Sequence, residues 1–600
     1  VIRRRYSDFM QTWGQLRGEK TRTRRLRETV MLLAPYKLRV FGMFVSMTLA
    51  IVAGLAPPYL AKIAIDNGIV DQDYDTLKLV VILYVASAFL LWGATYVQAY
   101  LTSWIGQKAL QDLRLMVFEH LQKQSTGFYS RRRTGVLVSR LTNDVEALDQ
   151  LVTNGAMMLF QSVAMLIAMM VVMLLQNVTL ALACFAVFPL VALASFVFRV
   201  ISTEVYRETR ERIGHVTGYL QETISGVSVV RAYGRERRHI DEFTELSTAN
   251  RDANMRSVHL NAAYFPAIEL LQAISMAVIL MLGGWLAVEG HIEIGVLVLF
   301  AGYMQQFFDP IQQLSQLYTT YQAGMAALDK IFDLLAEEPD AVDLPGGETL
   351  PPIVGAVEFD DVWFSYSGEE SEWALRGVSI DVEPGETIAL VGSTGAGKST
   401  FAKLIPRFYD PVRGSVRIDG HDLVTVDSRT IRSQLGYVPQ EGYLFSGSVA
   451  DNIEFGRPGA SRAEIEDAAR SVGAFDVIAA LPDGFDTAVG ERGSHLSAGQ
   501  RQLVAFARAM IAAPRLLILD EATSSVDVET EMRIEAGLTR LLEGRTAVVI
   551  AHRLSTIVGA SRIAVLEGGE IVELGSHEEL VARGGRYEEL FANWERNISQ

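Results

Sequence analysis

Through roughly the first 330 residues, long uncharged runs alternate with charged segments. The runs extend from Val40 to Ala61, Leu79 to Gln107, Gln150 to Phe198, Leu270 to Val288 and, more briefly, Ile294 to Phe308. About 20 apolar residues in a helix cross a bilayer, so the runs predict spans. The third run is of double length. The polar pair Gln176-Asn177 interrupts it and predicts a tight turn between two spans, which brings the total to six.

The connecting segments alternate in charge. The leader carries Arg3, Arg4, Arg5, Arg22, Arg24, Arg25, Arg27 and Arg39, the next link carries Asp66, Asp71, Asp73 and Asp75, and the one after it carries Arg131, Arg132 and Arg133. An excess of Lys and Arg marks the cytoplasmic side. The expectation is therefore a multi-pass protein of the cell membrane with both termini in the cytoplasm. The first run exceeds the apolar core of a secretory leader and reads as a permanent span. Links 108–149 and 199–256 keep helical apolar spacing and predict helices that continue beyond the bilayer, twenty residues reaching on the order of 30 Å.

After residue 330 the pattern changes to short β-branched runs alternating with amphipathic helices, as in a layered α/β domain. The expected organisation is a basic segment 1–39, a six-helix membrane domain 40–330, a linker 331–352 and an α/β P-loop nucleotide-binding domain 353–600. From Asp340 onward the charge balance is −18, and the remainder of the chain is +2. The overall −16 thus describes an acidic soluble domain and says nothing about nucleic acid, whose binding needs a clustered basic face; no such cluster is evident. The single cysteine, Cys184, lies inside an apolar run, so neither a disulfide nor a Cys-based zinc site forms within the chain.

Thr387 to Val391 reads as a buried strand. It runs into Gly392, Ser393, Thr394, Gly395, Ala396, Gly397, Lys398, Ser399 and Thr400, a full GxxxxGK[ST] phosphate loop. Its glycines let backbone N–H groups curl around an anionic phosphate at a helix N-terminus, Lys398 neutralises β/γ oxygens, and the Ser399 hydroxyl suits Mg²⁺. A second buried strand, Leu516 to Leu519, ends in Asp520-Glu521. An acid there suits Mg²⁺, and a second acid can orient or deprotonate the attacking water.

Leu496-Ser497-Ala498-Gly499-Gln500 lies between these strands. Together with them it resembles the nucleotide-binding domain of ABC transporters, and the resemblance covers essentially the whole chain. It implies that Ser497, Gly499 and Gln500 cap the ATP held by a partner domain, although Ala498 stands where the family usually has glycine. It further implies that Tyr366 stacks on adenine, that Gln440 meets Mg²⁺ and senses the membrane domain, that Asp527 is the acid of the D-loop, and that His552 contacts the γ-phosphate. Glu521, His552 and Gln440 form the implied catalytic set; Ser399, Gln440 and Asp520 form the implied metal set. Phe128-Tyr129, Thr134-Gly135 and Arg140 to Asp144 resemble the first coupling arm of exporters, and Glu222 to Gly226 with Val230 to Gly234 the second.

The implied function is an ATP-hydrolysing exporter subunit. It works with a second half-transporter, as a homodimer or heterodimer, and moves a hydrophobic or amphipathic drug, lipid or peptide. An exporter-fold siderophore importer and an ATP-gated channel are the alternatives. Candidate pathway residues are Glu269 near Pro266, Asp309 before Pro310, the Met165, Met169 and Met173 face, and the patch Tyr303, Gln305, Gln306, Phe307 and Phe308.

Overall fold

The computed structural model describes residues 34–339, 347–368, 372–440, 442–520, 528–551 and 553–598. Two compact units emerge. One holds the described residues up to Gln122 together with Gly135–Glu337; the other joins Lys123–Thr134 to the described residues from Glu338 onward.

In the first unit the apolar runs become helices α1 (Lys37–Ile63), α2 (Tyr74–Gln122), α3 (Ala156–Gln176), α4 (Phe188–Ser225), α5 (Glu236–Val278) and α6 (Ile294–Leu335). Six helical stretches are long and apolar enough to cross a membrane. The break at residue 177 is a capped turn: the Asn177 side chain accepts a hydrogen bond from the Leu180 N–H at 2.9 Å and starts a short helix, Val178–Phe185, ahead of α4. α2, α4 and α5 continue well beyond their apolar stretches, as the helical spacing of the links predicts.

The core of this unit forms where α3, α5 and α6 meet the Val178–Phe185 helix. Met169, Met173, Tyr303, Phe307 and Phe308 are all buried there. Phe307 stacks on Phe188 with ring centroids 4.2 Å apart. The Tyr303 hydroxyl donates to the Leu55 carbonyl of α1 at 2.8 Å, and Gly302 lets α6 approach Pro58, whose ring carbon would lie 3.0 Å from an added Cβ. At the start of α6, Asp66 sets itself apart from the other acids of its link. The helix of α1 runs on through a widened turn, Ala64–Val70, and carries Asp66 into a buried position against the first residues of α6.

The second unit contains a sheet of strand order β10-β9-β3-β8-β7-β6. Its members are β3 (Thr387–Val391), β6 (Leu435–Val438), β7 (Leu516–Asp520), β8 (Thr546–Ile550), β9 (Arg562–Glu567) and β10 (Glu570–Gly575). All neighbours pair in parallel except β9 with β10. Strands covered on both faces read as continuous apolar runs, and every residue of Ile388–Val391 and Leu516–Leu519 is buried. One face packs against α8 (Ala498–Ile511) and α9 (Val528–Leu542). The other meets α7 (Lys398–Leu404) and an antiparallel sheet of order β2-β1-β4-β5, built from β1 (Val357–Phe364), β2 (Leu375–Val382), β4 (Arg413–Ile418) and β5 (His421–Asp422).

Candidate functional site

In open α/β sheets, ligands gather beyond the carboxyl ends of parallel strands. β3 delivers the phosphate loop to that edge, β7 delivers Asp520 two strands further along, beyond β8, and β6 delivers Gln440 just past Val438.

The loop's shape depends on glycine. Gly392, Gly395 and Gly397 have φ of 147°, 84° and 106°, a region that side chains rarely adopt. At Gly392 an added Cβ would lie 2.2 Å from the Leu566 carbonyl oxygen, and at Gly397 it would lie 2.7 Å from that of Ala374. Ser393, Thr394 and Gly395 are exposed at the crest, whereas Ala396 anchors the loop in the core. Ser399 is exposed at the start of α7; Thr400 is buried beside it.

Lys398 is 8 % exposed and donates its ammonium to the Gly392 and Ser393 carbonyls at 2.6 and 2.9 Å. Burial pushes its pKa below the usual lysine value, and the charge of Asp520 opposes that shift. The Lys398 ammonium and the Asp520 carboxylate therefore share one electrostatic environment. Burial, with the Asp520 charge as the smaller cause, also pushes the Tyr437 phenol of β6 up to about 12, which keeps it a neutral hydroxyl.

Tyr366 is 41 % exposed and shares a 3.0 Å hydroxyl contact with Thr400; its ring stands edge-on to Phe364 and Tyr409. The loop and this aromatic are thus tied together, a link that the sequence does not reveal. Gln440 is exposed.

Ser497 begins α8 through a reciprocal cap. Its hydroxyl oxygen accepts from the Gln500 N–H at 3.2 Å, while the Gln500 side chain accepts from the Ser497 N–H at 2.8 Å. Arg501 steadies the entry by donating to the Leu496 carbonyl at 2.7 Å. Gly499 is buried, but Ser497 and Ala498 are exposed, so the extra methyl of Ala498 meets only what docks on this helix start. Glu521, Asp527 and His552 lie outside the described residues.

The family models divide the chain in the same way. Residues 40–311 match the ABC transporter transmembrane region, and residues 375–524 match the ABC transporter model. An ATP-dependent lipid A-core flippase of Syntrophus aciditrophicus (strain SB) is 37% identical, the match covering 94% of this chain and 93% of the flippase. The chain belongs to the ABC transporter family. A putative multidrug export ATP-binding/permease protein of Bacillus subtilis (strain 168) is 34% identical to this ABC transporter over 94% of the chain and 98% of that protein. A solved structure of a bacterial Atm1-family ABC exporter with ATP bound superposes with a TM-score of 0.77 at 32% identity, covering 94% of this chain and 99% of that one. The transporter is therefore an exporter-type half: a membrane-embedded helical region fused to an α/β ATP-binding domain.

The membrane candidates of this ABC transporter fare unevenly. Met169 and Met173 are 0 % exposed and pack in the core, as do Tyr303, Phe307 and Phe308. Glu269 and Gln305 are exposed. Met165, Gln306 and Asp309 instead border a cavity of about 700 Å³ among α2, α3 and α6. Gln98 and Gln161 also border it. Neither stands out in the sequence, where glutamine inside an apolar span is the one available signal.

Proposed function

We propose that this transporter hydrolyses MgATP to drive export of a hydrophobic or amphipathic substrate across the cell membrane, working as a dimer with both termini in the cytoplasm. The observation that carries the reading is the pairing at one sheet edge of a glycine-dependent loop with Lys398 and Asp520. The loop hollow, closed to any added Cβ at Gly392 and Gly397, suits phosphate oxygens held by backbone N–H groups.

Lys398 now spends its protons on two loop carbonyls and turns from them to the β/γ oxygens when nucleotide arrives. Exposed Ser399, Asp520 and exposed Gln440 offer the hard oxygen donors that suit Mg²⁺, which would supply charge neutralisation on the phosphates. In this reading Asp520 also keeps Lys398 protonated, Tyr366 offers its partly exposed ring to adenine, and Glu521 polarises the attacking water with His552 beside the γ-phosphate. Ser497, held by Gln500, presents its hydroxyl proton and the following backbone N–H groups to ATP bound on the second copy, with Asp527 at the same junction.

Domain limits near 330 and 353 serve this division: the membrane part carries the substrate and the soluble part carries ATP. Purified full-length protein in lipid nanodiscs should hydrolyse MgATP, and inside-out proteoliposomes should accumulate substrate only with hydrolysable nucleotide. Currents that persist with a non-hydrolysable analogue would establish the channel instead.

A further inference from the structure

The cavity among α2, α3 and α6 has a chemical bias that the export reading does not use. Its volume is about 700 Å³, within the range of small-molecule sites. Among the described lining residues, Asp309 carries the sole formal charge; the rest are amides, hydroxyls, thioethers and small apolar groups. An ionisable side chain at membrane depth is costly to keep and marks a ligand path or a paired site.

The hydrogen bonds on the walls are directional. The Gln98 amide donates to Gln161 Oε1 at 3.0 Å, and the Ser162 hydroxyl donates to Gln313 Oε1 at 3.2 Å. These bonds use donors of the wall on acceptors of the wall. Gln98 Oε1 is buried and has no hydrogen-bond partner among the described residues. Gln98 Oε1 therefore still needs a donor, and the carboxylate of Asp309 adds a negative charge beside that need.

Met157, Met158 and Met165 supply the third element, a flexible thioether flank that adapts to varied apolar shapes. The lining positions fall late in the apolar run of α2, early in that of α3 and late in that of α6. All three belong to the end of the spans that adjoins link 108–149.

We propose that this cavity binds amphipathic primary or secondary ammonium compounds, in which Asp309 holds the cationic head, Gln98 Oε1 accepts one of its N–H groups and the methionines take the apolar tail. The assignment rests on the export reading and narrows its substrate class. Quaternary cations satisfy the charge but bring no N–H donor. Anionic head groups meet Asp309 unfavourably, so a lipid with an acidic head is not the ligand of this site.

The test uses the full chain in nanodiscs of neutral lipid and three probes below their micellar concentrations: decylamine, decyltrimethylammonium and decyl phosphate. By calorimetry the amine should bind roughly tenfold or more tightly than the quaternary cation, the size expected for one hydrogen bond between a charged and a neutral group, and decyl phosphate should bind weakest. Gln98→Leu should erase the amine's advantage over the quaternary cation. Asp309→Asn should weaken both cations by tenfold or more, whereas Asp309→Glu, which keeps the charge, should restore most of the affinity and guards against a folding defect. Equal binding of the three probes, or wild-type affinity in Asp309→Asn, overturns the assignment. ATP-driven accumulation in inside-out proteoliposomes separates the two levels: uptake without preference for the amine sinks only the cavity assignment. Absence of ATP-driven uptake for the probes and for a wider panel of lipids, drugs and peptides sinks the export reading.

Discussion

Asp66 accepts a hydrogen bond from the backbone N–H of Gly295 at 2.6 Å, joining the end of α1 to the start of α6 across 229 positions of sequence. The first N–H groups of a helix lack partners within it, and a carboxylate there is favourable. Gly295 is required at this contact. An added Cβ would lie 2.5 Å from Asp66 Oδ2 and 2.5 Å from the Lys62 carbonyl oxygen. Lys62 adds a 3.4 Å ion pair with Glu293, just before α6.

Asp66→Ala should therefore lower the stability of the membrane part by about 1–3 kcal/mol, because it strands a buried N–H. Gly295→Ala should cost a similar 1–3 kcal/mol through overpacking. Asp66→Asn keeps an acceptor and should be the mildest of the three. Thermal unfolding in nanodiscs, followed by tryptophan fluorescence, ranks them; an unchanged midpoint in Asp66→Ala would refute the cap.

A second prediction concerns the phosphate loop. Gly392→Ala drives a methyl into the Leu566 carbonyl and demands a backbone angle that alanine resists, so it should distort the loop even without nucleotide. Lys398→Ala, by contrast, removes only donors to two carbonyls and should leave the fold intact while weakening ATP binding. Equilibrium binding of a fluorescent ATP analogue, paired with thermal unfolding, distinguishes loss of fold from loss of charge. Tight nucleotide binding by both variants would place the phosphate site elsewhere.

Glu521→Gln tests the division between binding and chemistry. Removing a general base slows hydrolysis by roughly 10²- to 10⁴-fold. ATP should still bind, and the closed dimer should accumulate, visible as a shortened distance between spin labels on the two nucleotide domains. Wild-type turnover in this variant would discard Glu521 as the base.

A fourth prediction is a pH effect in the soluble domain. Glu386, ahead of β3, is ion-paired with Arg562 of β9. Burial alone would raise its pKa, but the hydrogen bond from Arg562 and the Glu383 backbone outweigh that and hold it below the usual glutamate range. A depressed carboxylate stabilises the fold above its unfolded pKa and loses that contribution as pH falls through its folded one. Glu386→Gln should therefore flatten the acid limb of the stability curve, and cost about 2 kcal/mol at pH 7 after allowing for the partly exposed arginine. An unchanged acid limb would show that the pair contributes nothing.

How much of this was legible beforehand depended on the range of the interaction. Six spans, the turn at Asn177 and the buried strands at Thr387 and Leu516 follow from local patterning and appear as expected. The phosphate loop was readable because its glycines serve one backbone path. Asp66 read only as one acid of a charged link, because its partner, Gly295, is remote and its contact is with backbone, which no side-chain pattern announces. The aromatics of α6 looked like cavity lining by composition, but a helix face is chosen by its neighbours, and α6 turns Tyr303 and Phe307 toward Leu55 and Phe188. Gln98 was overlooked for a related reason: an amide within an apolar run becomes informative only once its acceptor is seen to be orphaned.

The strand order carries a consequence for how the chain is made. β3, which bears the phosphate loop, is flanked on both sides by strands from the far end of the sequence, β8 and β9. Synthesis must advance roughly 150 residues beyond β3 before either neighbour exists, which at about 5–20 residues per second is on the order of ten to thirty seconds. During that interval the edges of β3 have no ladder partner, and the loop lacks the Leu566 carbonyl against which Gly392 is fitted. Nascent chains halted before Thr546 should fail to retain nucleotide, and the capacity should appear only in chains that extend past Glu567.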